Sequence, residues 1–229
     1  MQTSFAFRGQ EDLLAWQDRL APLVRQATPL PVRRPLNQLV KSMISGRTRD
    51  PVSLAAYDRL VATFRSPCGL IAAGAGRVSQ VIGDVTFAGD KAGHLVTALQ
   101  RIGRERRRFD LEFLGDLPLD AALAWLERLP GVGRKVAAST LNASTLSRPV
   151  LIVDSHVLRV LQRLGFVDRH ADGRIASEAV TAALPEWDGK AFLDLHVGLK
   201  RTGQRWCRPI APHCALCPLA PGCRKRLTG

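Results

Sequence analysis

Four cysteines near the end of the chain constrain its fold more than any other feature. Cys207, Cys214, Cys217 and Cys223 follow one another in the pattern C-x6-C-x2-C-x5-C. Disulfide frameworks usually distribute their cysteines so that the bridges close longer loops, whereas four thiolates this close in sequence converge readily on one metal centre. The segment is therefore predicted to fold around a metal cofactor.

The thiolate ligands leave two candidate cofactors, an iron-sulfur cluster and a structural zinc ion, because both accept four sulfur ligands. Zinc sites typically use pairs of cysteines two to four residues apart, and only Cys214 and Cys217 form such a pair. The spacing favours an iron-sulfur cluster of the 4Fe-4S type, with zinc as the alternative. Four buried free thiols are the remaining interpretation, and the distant Cys68 is predicted to be a thiol of the core.

The chain is strongly basic, with 33 Lys and Arg against 20 Asp and Glu in 229 residues and a formal charge of +13. Such a balance points to a polyanion as the partner, and nucleic acid is the leading candidate. The sequence has no apolar run long enough for a membrane helix, and its first ten residues do not resemble a signal peptide. We therefore expect a cytoplasmic, nucleoid-associated monomer with no membrane partner.

Apolar residues recur at helical spacing along most of the chain, and alternation of period two is nearly absent. Two faces with this spacing are formed by Leu13, Leu14, Trp16, Leu20 and Leu23, and by Leu54, Ala55, Leu60, Val61 and Phe64. Other helical segments are predicted at 36–44, 91–102, 121–129, 136–146, 156–164 and 190–200, with extended chain only at 149–153. The pattern predicts an all-α fold.

A turn rich in glycine separates two of the predicted helices, in the segment Leu129-Pro-Gly-Val-Gly-Arg-Lys135. The Pro-Gly pair ends the first helix, and the second glycine opens the next one. Backbone N–H groups at a helix start can bind a phosphate oxygen where no side chain intervenes. An ordinary αα-hairpin is the alternative. The residues predicted to contact the DNA backbone here are Gly131, Val132, Gly133 and Arg134.

The apolar run 150–153 leads directly to Asp154, which stands at the head of another predicted helix. An aspartate at that position is a natural N-cap, and this role requires no catalysis. Lys135, taken by itself, is equally consistent with a solvated lysine. The combination of Asp154 and Lys135 with the phosphate-binding turn and the cysteines is what points to chemistry on DNA.

These elements resemble endonuclease III, a helix-hairpin-helix DNA glycosylase, through three motifs in order: Leu129-Pro-Gly-Val-Gly-Arg-Lys135, Val153-Asp-Ser-His156 and the cysteine segment. The resemblance extends roughly from Leu36 to Cys223. It implies an all-α, two-lobed fold. A six-helix barrel with the helix-hairpin-helix is expected at 28–148, and an iron-sulfur cluster domain at 1–27 and 149–229. The resemblance also implies a DNA groove and an active-site pocket between the two lobes.

In that family the lysine that matches Lys135 attacks the sugar carbon C1′ of a flipped nucleotide, expels the base, forms a Schiff base and cleaves the strand by β-elimination. The carboxylate that matches Asp154 stabilises positive charge on the sugar as the base departs. The cluster is structural. The resemblance thus implies a bifunctional glycosylase and abasic-site lyase that removes oxidised pyrimidines from double-stranded DNA.

The chain departs from the family at two positions that contact DNA. In Ser45-Gly-Arg-Thr-Arg-Asp50, Arg47 stands where the family has the glutamine that fills the gap left by the flipped base. Arginine has no acceptor, and it can either stack or donate to the edge of an unpaired guanine, so the preference for the opposite base is expected to change. In Thr86-Phe-Ala-Gly-Asp-Lys91, Phe87 takes the place of a wedge leucine. Asp50 matches an acid of the family's pocket.

Three other interpretations remain open. Arg47 is compatible with a glycosylase of the same superfamily that acts on mismatched or deaminated bases. A relative that binds DNA but turns over poorly is the second, although Lys135 and Asp154 both argue against it. A basic DNA-binding protein stabilised by zinc is the third.

Overall fold

A computed structural model describes residues 3–29 and 31–224 of the chain. The chain divides into two compact units. The middle unit is Val32–Leu146, and the terminal unit combines Met1–Pro31 with Ser147–Gly229. The assignment of a barrel domain to 28–148 and of a cluster domain to 1–27 with 149–229 stays a prediction.

The described residues form ten α-helices and three short 3-10 helices, and they contain no strand. The α-helices are α1 (Thr3–Arg25), α2 (Pro35–Ser45), α3 (Asp50–Phe64), α4 (Pro67–Val81), α5 (Ala88–Arg106), α6 (Leu119–Glu127), α7 (Arg134–Asn142), α8 (Ser155–Leu164), α9 (Gly173–Ala183) and α10 (Gly189–Arg205). The 3-10 helices are Glu112–Gly115, Cys214–Leu216 and Ala220–Gly222. In the part of the chain that is described, no helix is both long and apolar enough to cross a membrane.

In the middle unit, α2 packs against α3, α5 and α7, and α4 packs against α5. A buried polar network joins α2 to α7: the Gln38 amide donates to the hydroxyls of Ser42 (3.1 Å) and Ser139 (3.0 Å), which also bond to each other. Because these buried polar groups satisfy one another, they favour one register of α7 along α2.

In the terminal unit, α1 packs on α10 through a stripe of buried side chains that includes Leu13, Trp16 and Leu20. Gly198 of α10 lets the two helices approach closely, because a Cβ at that position would lie 2.7 Å from the Cβ of Leu20. Helix α10 also packs on α8. A hydrogen bond also joins α10 to α1: Arg201 Nη1 donates to the Leu23 carbonyl at 3.0 Å.

The buried run at 150–153 is extended, as predicted, but it has no neighbouring strand. Side chains of two helices supply the hydrogen bonds instead. The Ser177 hydroxyl donates to the Leu151 carbonyl (2.8 Å), and Leu151 N donates to the Thr181 hydroxyl (3.1 Å). His196 Nδ1 lies 2.8 Å from the Ile152 carbonyl oxygen. Side chains of α9 and α10 therefore fix the backbone of the segment that directly precedes Asp154.

Several local predictions are wrong. Helices α4 and α9 were not predicted, and the helix predicted to reach residue 146 ends at Asn142. Cys68 is exposed rather than part of the core. The buried side of α4 contains Leu70 and Val78, and Cys68 lies about 200° around the helix from Leu70 at 100° per residue.

The predicted apolar faces are also partly wrong. Leu14 is exposed on α1, and α3 buries Ser53, Ala56, Tyr57 and Leu60, whereas Leu54 and Val61 are exposed. Ser53 is buried at low cost because its hydroxyl donates to the Asp50 carbonyl at 3.0 Å. The helical spacing of α3 is confirmed, but its buried face is rotated from the predicted one.

Candidate functional site

The glycine turn between α6 and α7 has the predicted form. Gly131 has φ +74°, and a Cβ at this position would lie 2.6 Å from the Cβ of His94. The turn therefore needs glycine for its backbone conformation and for its close approach to α5. Gly133 precedes α7 as its N-cap and offers no side chain to the helix start. The first N–H groups of α7 consequently lie beside a glycine rather than beside a capping side chain.

The two side chains of the turn serve the hairpin itself. Val132 is buried, and its N–H donates to the Leu129 carbonyl at 3.1 Å. Arg134 forms an ion pair with Glu127, with 2.7 Å between Nε and Oε1, and both side chains are nearly buried. The Nε group of Arg134 is thus engaged within the hairpin, and the contact of Val132 and Arg134 with DNA stays a prediction.

Lys135 is the second residue of α7 and is half-buried. Its ammonium group interacts electrostatically with that of Lys91 on α5. Burial, and to a lesser degree the charge of Lys135, lower the pKa of Lys91 to about 8. Because Coulomb repulsion is mutual, the charge of Lys91 also disfavours a proton on Lys135.

The ammonium group of Lys91, a residue of α5, lies at the C-terminal end of α2. Its Nζ donates to the carbonyls of Ile44 (2.8 Å) and Gly46 (2.6 Å) and to the Thr48 hydroxyl (3.2 Å). The last carbonyls of a helix have no intrahelical donor, and a buried ammonium group satisfies them. Sequence reasoning missed Lys91 as a site residue, because its acceptors are 43 to 47 residues away along the chain.

Arg47 and Phe87 lie next to each other at the ends of two loops. The guanidinium carbon of Arg47 is 5.8 Å from the centre of the Phe87 ring. Phe87 is 56% exposed, which is high for so large an apolar side chain. Both residues have left-handed backbone conformations, with φ of 54° and 58°, and each costs about 1–2 kcal/mol relative to the right-handed region.

Thr86 fixes the two loops to each other. Its hydroxyl donates to the Arg47 carbonyl (2.9 Å), and its N–H donates to the Thr48 hydroxyl (3.1 Å). The Thr48 hydroxyl is also bound by Lys91, so Arg47, Phe87, Lys91 and Lys135 belong to one group of contacts within the middle unit.

Asp50, the predicted pocket acid, is exposed in the first turn of α3.

Asp154 caps the N-terminus of α8 in the terminal unit. Its Oδ1 accepts hydrogen bonds from the N–H groups of His156 and Val157, both at 2.9 Å. The N-cap interpretation of this residue is confirmed. A carboxylate held at a helix N-terminus also interacts favourably with the positive end of the helix dipole.

The four cysteines of the C-terminal segment lie close to one another in the terminal unit. Cys207, Cys217 and Cys223 pack against its hydrophobic core. Burial raises the pKa of the Cys217 thiol, and the charges of the three other thiolates raise it further. A cationic centre would stabilise the thiolate of Cys217 against this opposition.

Arg163 of α8 holds the cysteine loop from one side. Its Nη1 lies 3.5 Å from the Cys207 sulfur and donates to the Arg208 carbonyl at 2.6 Å. The Cys223 sulfur in turn lies 3.5 Å from the Arg163 carbonyl oxygen.

Across residues 3–29 and 31–224, no three His, Cys, Asp or Glu side chains meet in a group that would hold a single metal ion.

A scan against models of protein families gave no match. Among curated proteins, endonuclease III of Thermotoga maritima is 31% identical over 189 residues, which cover 82% of this chain and 82% of that protein. The chain belongs to the endonuclease III family. The chloroplastic endonuclease III homolog 2 of Arabidopsis thaliana is 28% identical over 84% of this chain. This chain spans about half the length of that plant relative and of its homolog 1.

The fold of the family is present as well. A solved structure of a trapped endonuclease III–DNA covalent intermediate, an estranged-adenine complex, matches with a TM-score of 0.78 and 24% identity. The match covers 94% of this chain and 96% of that one. It confirms the predicted all-α, helix-hairpin-helix glycosylase fold.

We predict that Lys91 titrates near pH 8 and that Lys135→Ala raises its pKa toward the ordinary value of 10.5 without reaching it. The variant removes the repelling charge, whereas burial, the larger cause, remains. Carbon-13 NMR of reductively methylated lysines measures both midpoints. Lys190 is the internal control, because the hydrogen bond that it donates to Asp194 raises its pKa, and the variant changes neither residue. Equal midpoints for Lys91 in the two proteins would show that the lysines do not interact.

Proposed function

We propose that this chain is a base-excision DNA glycosylase with an associated β-elimination lyase activity at abasic sites, and that it removes oxidised pyrimidines from double-stranded DNA. The observation that carries the proposal is the placement of Lys135. This lysine is half-buried at the start of α7, directly after the glycine turn and beside a second lysine. The basic charge and the membership in the endonuclease III family support DNA as the partner. The monomeric state and the cytoplasmic, nucleoid-associated location stay predictions.

The proposed nucleophile must be a neutral amine. A lysine with an ordinary pKa of about 10.4 is neutral in only about one molecule in 2,500 at pH 7. Lys91 and Lys135 repel each other's positive charge, and we propose that this repulsion favours the neutral amine of Lys135. We therefore propose that Lys91 activates Lys135 as the nucleophile.

The amine then acts on the sugar of a flipped nucleotide. Nζ forms a bond to C1′ while the glycosidic bond breaks, and the base leaves with the electron pair and takes up a proton. The nitrogen loses its extra proton, and the bond from C1′ to the ring oxygen breaks with its electron pair going to the oxygen, which takes up a proton; this gives a protonated imine between C1′ and Lys135. A base removes a proton from C2′, and the electron pair of that bond passes into the imine to form an enamine. The enamine then expels the phosphate oxygen from C3′ with the electron pair of the C3′–O bond, which releases the 3′ strand. Water finally hydrolyses the imine and frees the lysine.

We assign to Asp154 the stabilisation of positive charge on the sugar as the base departs. Its two hydrogen bonds from the start of α8 favour the carboxylate over the acid, as this role requires. We assign to the turn at Gly131 and Gly133 the binding of a DNA phosphate through backbone N–H groups. Phe87 and Arg47 would fill the space that the flipped nucleotide leaves, and Asp50 would contribute an acid to the pocket.

We further infer that Cys207, Cys214, Cys217 and Cys223 bind a 4Fe-4S cluster, with zinc as the less favoured alternative. The proximity of the four thiols and their spacing support this assignment. When bound, the cluster would cross-link the loop, and four protein thiolates would leave no coordination position for a catalytic water. Arg163 would hold the loop in place and donate to the Cys207 sulfur.

We expect purified protein to form a covalent adduct with an abasic-site duplex, and with one carrying thymine glycol, when borohydride reduces the imine. Lys135→Ala removes the amine and should abolish both adducts while duplex binding is retained. Lys190→Ala is the matched control, since its side chain is exposed in the terminal unit. Trapping by the Lys135 variant at the wild-type level would assign the nucleophile to another amine. An absence of adducts with wild-type protein would instead favour the DNA-binding relative without catalysis.

Two substitutions of Asp154 separate its capping role from its chemistry. Asn caps a helix about as well as Asp, so Asp154→Asn should leave thermal stability nearly unchanged. It should slow single-turnover base release by about 10²-fold or more, because the negative charge is lost. Asp154→Ala should lose the activity and also about 1 kcal/mol of stability. Wild-type turnover in the Asn variant would leave Asp154 with the capping role alone.

Iron and acid-labile sulfide analysis tests the cofactor. We expect about four of each per chain in protein purified without oxygen, and a brown colour. Cys214→Ser should lower both contents and the thermal stability, whereas Cys68→Ser, which changes an exposed thiol far from the segment in sequence, should alter neither content. A colourless protein that contains zinc in place of iron would overturn the assignment.

A further inference from the structure

The C-terminal end of α5 and the residue that follows α6 carry a dense group of arginines that the proposed chemistry does not use. We call this group the arginine cluster, and it consists of Arg101, Arg104, Arg106, Arg107, Arg108 and Arg128. Glu105 pairs with Arg101 (2.7 Å) and with Arg128 (3.7 Å). Asp110 pairs with Arg108 (2.7 Å). Two carboxylates against six arginines leave four positive charges without compensation in the cluster.

The other acidic side chains between residues 101 and 128 do not neutralise the cluster. Glu112 and Glu127 form ion pairs with arginines outside it. Asp116 and Asp120 stand at least eight residues before Arg128, near the opposite end of α6, which is about 12 Å away by the helical rise. The C-terminal end of a helix carries only about half a negative charge, so the dipole of α5 does not balance the cluster either.

An aromatic pair fixes two of these arginines. The guanidinium carbon of Arg106 lies 3.8 Å from the ring centre of Phe113, and that of Arg128 lies 5.9 Å from the ring centre of Trp125. Both distances are within the range of cation–π contacts. The two rings meet edge to face, with 5.1 Å between their centres. Arg101 Nη1 also donates to the Arg128 carbonyl at 2.8 Å. The cluster is therefore largely organised before any partner binds.

Two other members of the cluster have no structural task. Arg104 and Arg107 are exposed, and neither forms a hydrogen bond or an ion pair with a residue that the structure describes. Like charges this close repel one another, and a polyanion relieves the repulsion. A guanidinium group binds phosphate oxygens through two N–H groups at once. Because a DNA duplex carries one negative charge about every 1.7 Å along its axis, it offers several phosphates to such a surface.

The arginine cluster adjoins the glycine turn to which we assign a phosphate contact. Arg128 precedes Gly131 by three residues. His94 of α5 lies against the same glycine, since a Cβ there would be 2.6 Å from the His94 Cβ. From His94 to the end of α5 at Arg106, twelve residues extend for about 18 Å. This length corresponds to about five base pairs of a duplex. The arginines thus continue the proposed DNA-binding surface beyond the hairpin.

We propose that the arginine cluster binds phosphates of the same DNA duplex on one side of the lesion, up to about five base pairs beyond the phosphate at the glycine turn. This inference rests on the proposed function, to which it adds a second contact surface. The cluster contains no reacting group and contacts phosphates rather than bases, so it should raise the affinity equally for all lesions. Tight binding should therefore require a flank of duplex on one particular side.

The test measures affinity for duplexes with unequal flanks. Each carries a tetrahydrofuran abasic analogue, which has no hydroxyl at C1′ and forms no imine. One duplex has about fifteen base pairs on both sides, and in two others either flank is shortened to about four, which removes the phosphates that the cluster would reach. Fluorescence anisotropy measures the dissociation constant at several salt concentrations. The proteins are wild type and the double variant Arg104→Gln with Arg107→Gln.

We expect wild-type protein to bind more weakly when one particular flank is shortened. The double variant should bind the full duplex as weakly as wild-type protein binds that shortened one, and shortening should weaken it little further. The slope of log affinity against log salt should fall by about 1.8 on the full duplex, which is about 0.9 for each lost phosphate contact. Borohydride trapping on a true abasic site with that flank shortened should be equal for the two proteins, and a reduced yield would place these arginines in the reaction, contrary to the inference.

The double variant Arg169→Gln with Arg174→Gln is the matched control. Both arginines are exposed in the terminal unit, after the end of α8 that is opposite to Asp154, and their substitution removes the same number of charges. This variant should keep the wild-type sensitivity to the length of the flank. A change caused only by the net charge of the protein would appear in both double variants, whereas loss of the flank contact would appear in one.

The possible failures differ from one another. If the Arg104 and Arg107 variant loses as much affinity as wild-type protein when the flank is shortened, or is weaker on all three duplexes by the same factor, the proposed flank contact is wrong. If wild-type protein binds two short duplexes at once and the variant binds one, the cluster contacts separate DNA, and its assignment to the same duplex is wrong. If wild-type protein does not prefer the abasic duplex to an undamaged one, the proposed function itself fails.

Discussion

The polar groups left unpaired at helix ends are the constraint on which this structure depends. An α-helix leaves its first N–H groups and its last carbonyls without partners, and an all-α fold has many such ends to satisfy. Here Lys91 satisfies the carbonyls at the end of α2, and Asp154 satisfies the N–H groups at the start of α8. Gly133 leaves the start of α7 without a side-chain cap. The residues to which we assign chemistry thus lie at helix ends, where the same side chains stabilise the helix and would take part in the reaction.

Lys91 has two roles, because it binds the carbonyls at the end of α2 and it interacts electrostatically with Lys135. A buried ammonium group is costly, and its pKa falls accordingly. Its three acceptors at the end of α2 compensate part of this cost and fix the loop that follows. The same charge, held in place by that loop, acts on Lys135. Stability of the α2 terminus and the activation that we propose for Lys135 therefore depend on one side chain.

The sequence sufficed for the helical class, for most helices, for the glycine turn and for the N-cap at Asp154, because each of these depends on local spacing. It failed where local signals are weak or misleading. Helix α4 contains three glycines, which weaken its helical signal. Helix α9 is amphipathic, and the prediction simply missed it. The buried face of α3 includes Ser53, whose hydroxyl finds a backbone acceptor, while Leu54 and Val61 remain outside. Lys91 and Thr86 were not identifiable, since their importance comes from contacts about 40 residues away in sequence.

The packing of α1 on α10 determines the order in which this chain can fold. Arg201 binds the carbonyl of Leu23, 178 residues earlier, and Gly198 meets Leu20 across the same interface. During synthesis the helices that pack on α2 and α5 within the middle unit are all present once Leu146 has been made, whereas α1 must wait until α10 exists. Closing so long a loop is entropically costly, and it comes late. The hairpin and Lys135 would thus be in place before Asp154 and the cysteine loop acquire the core that holds them.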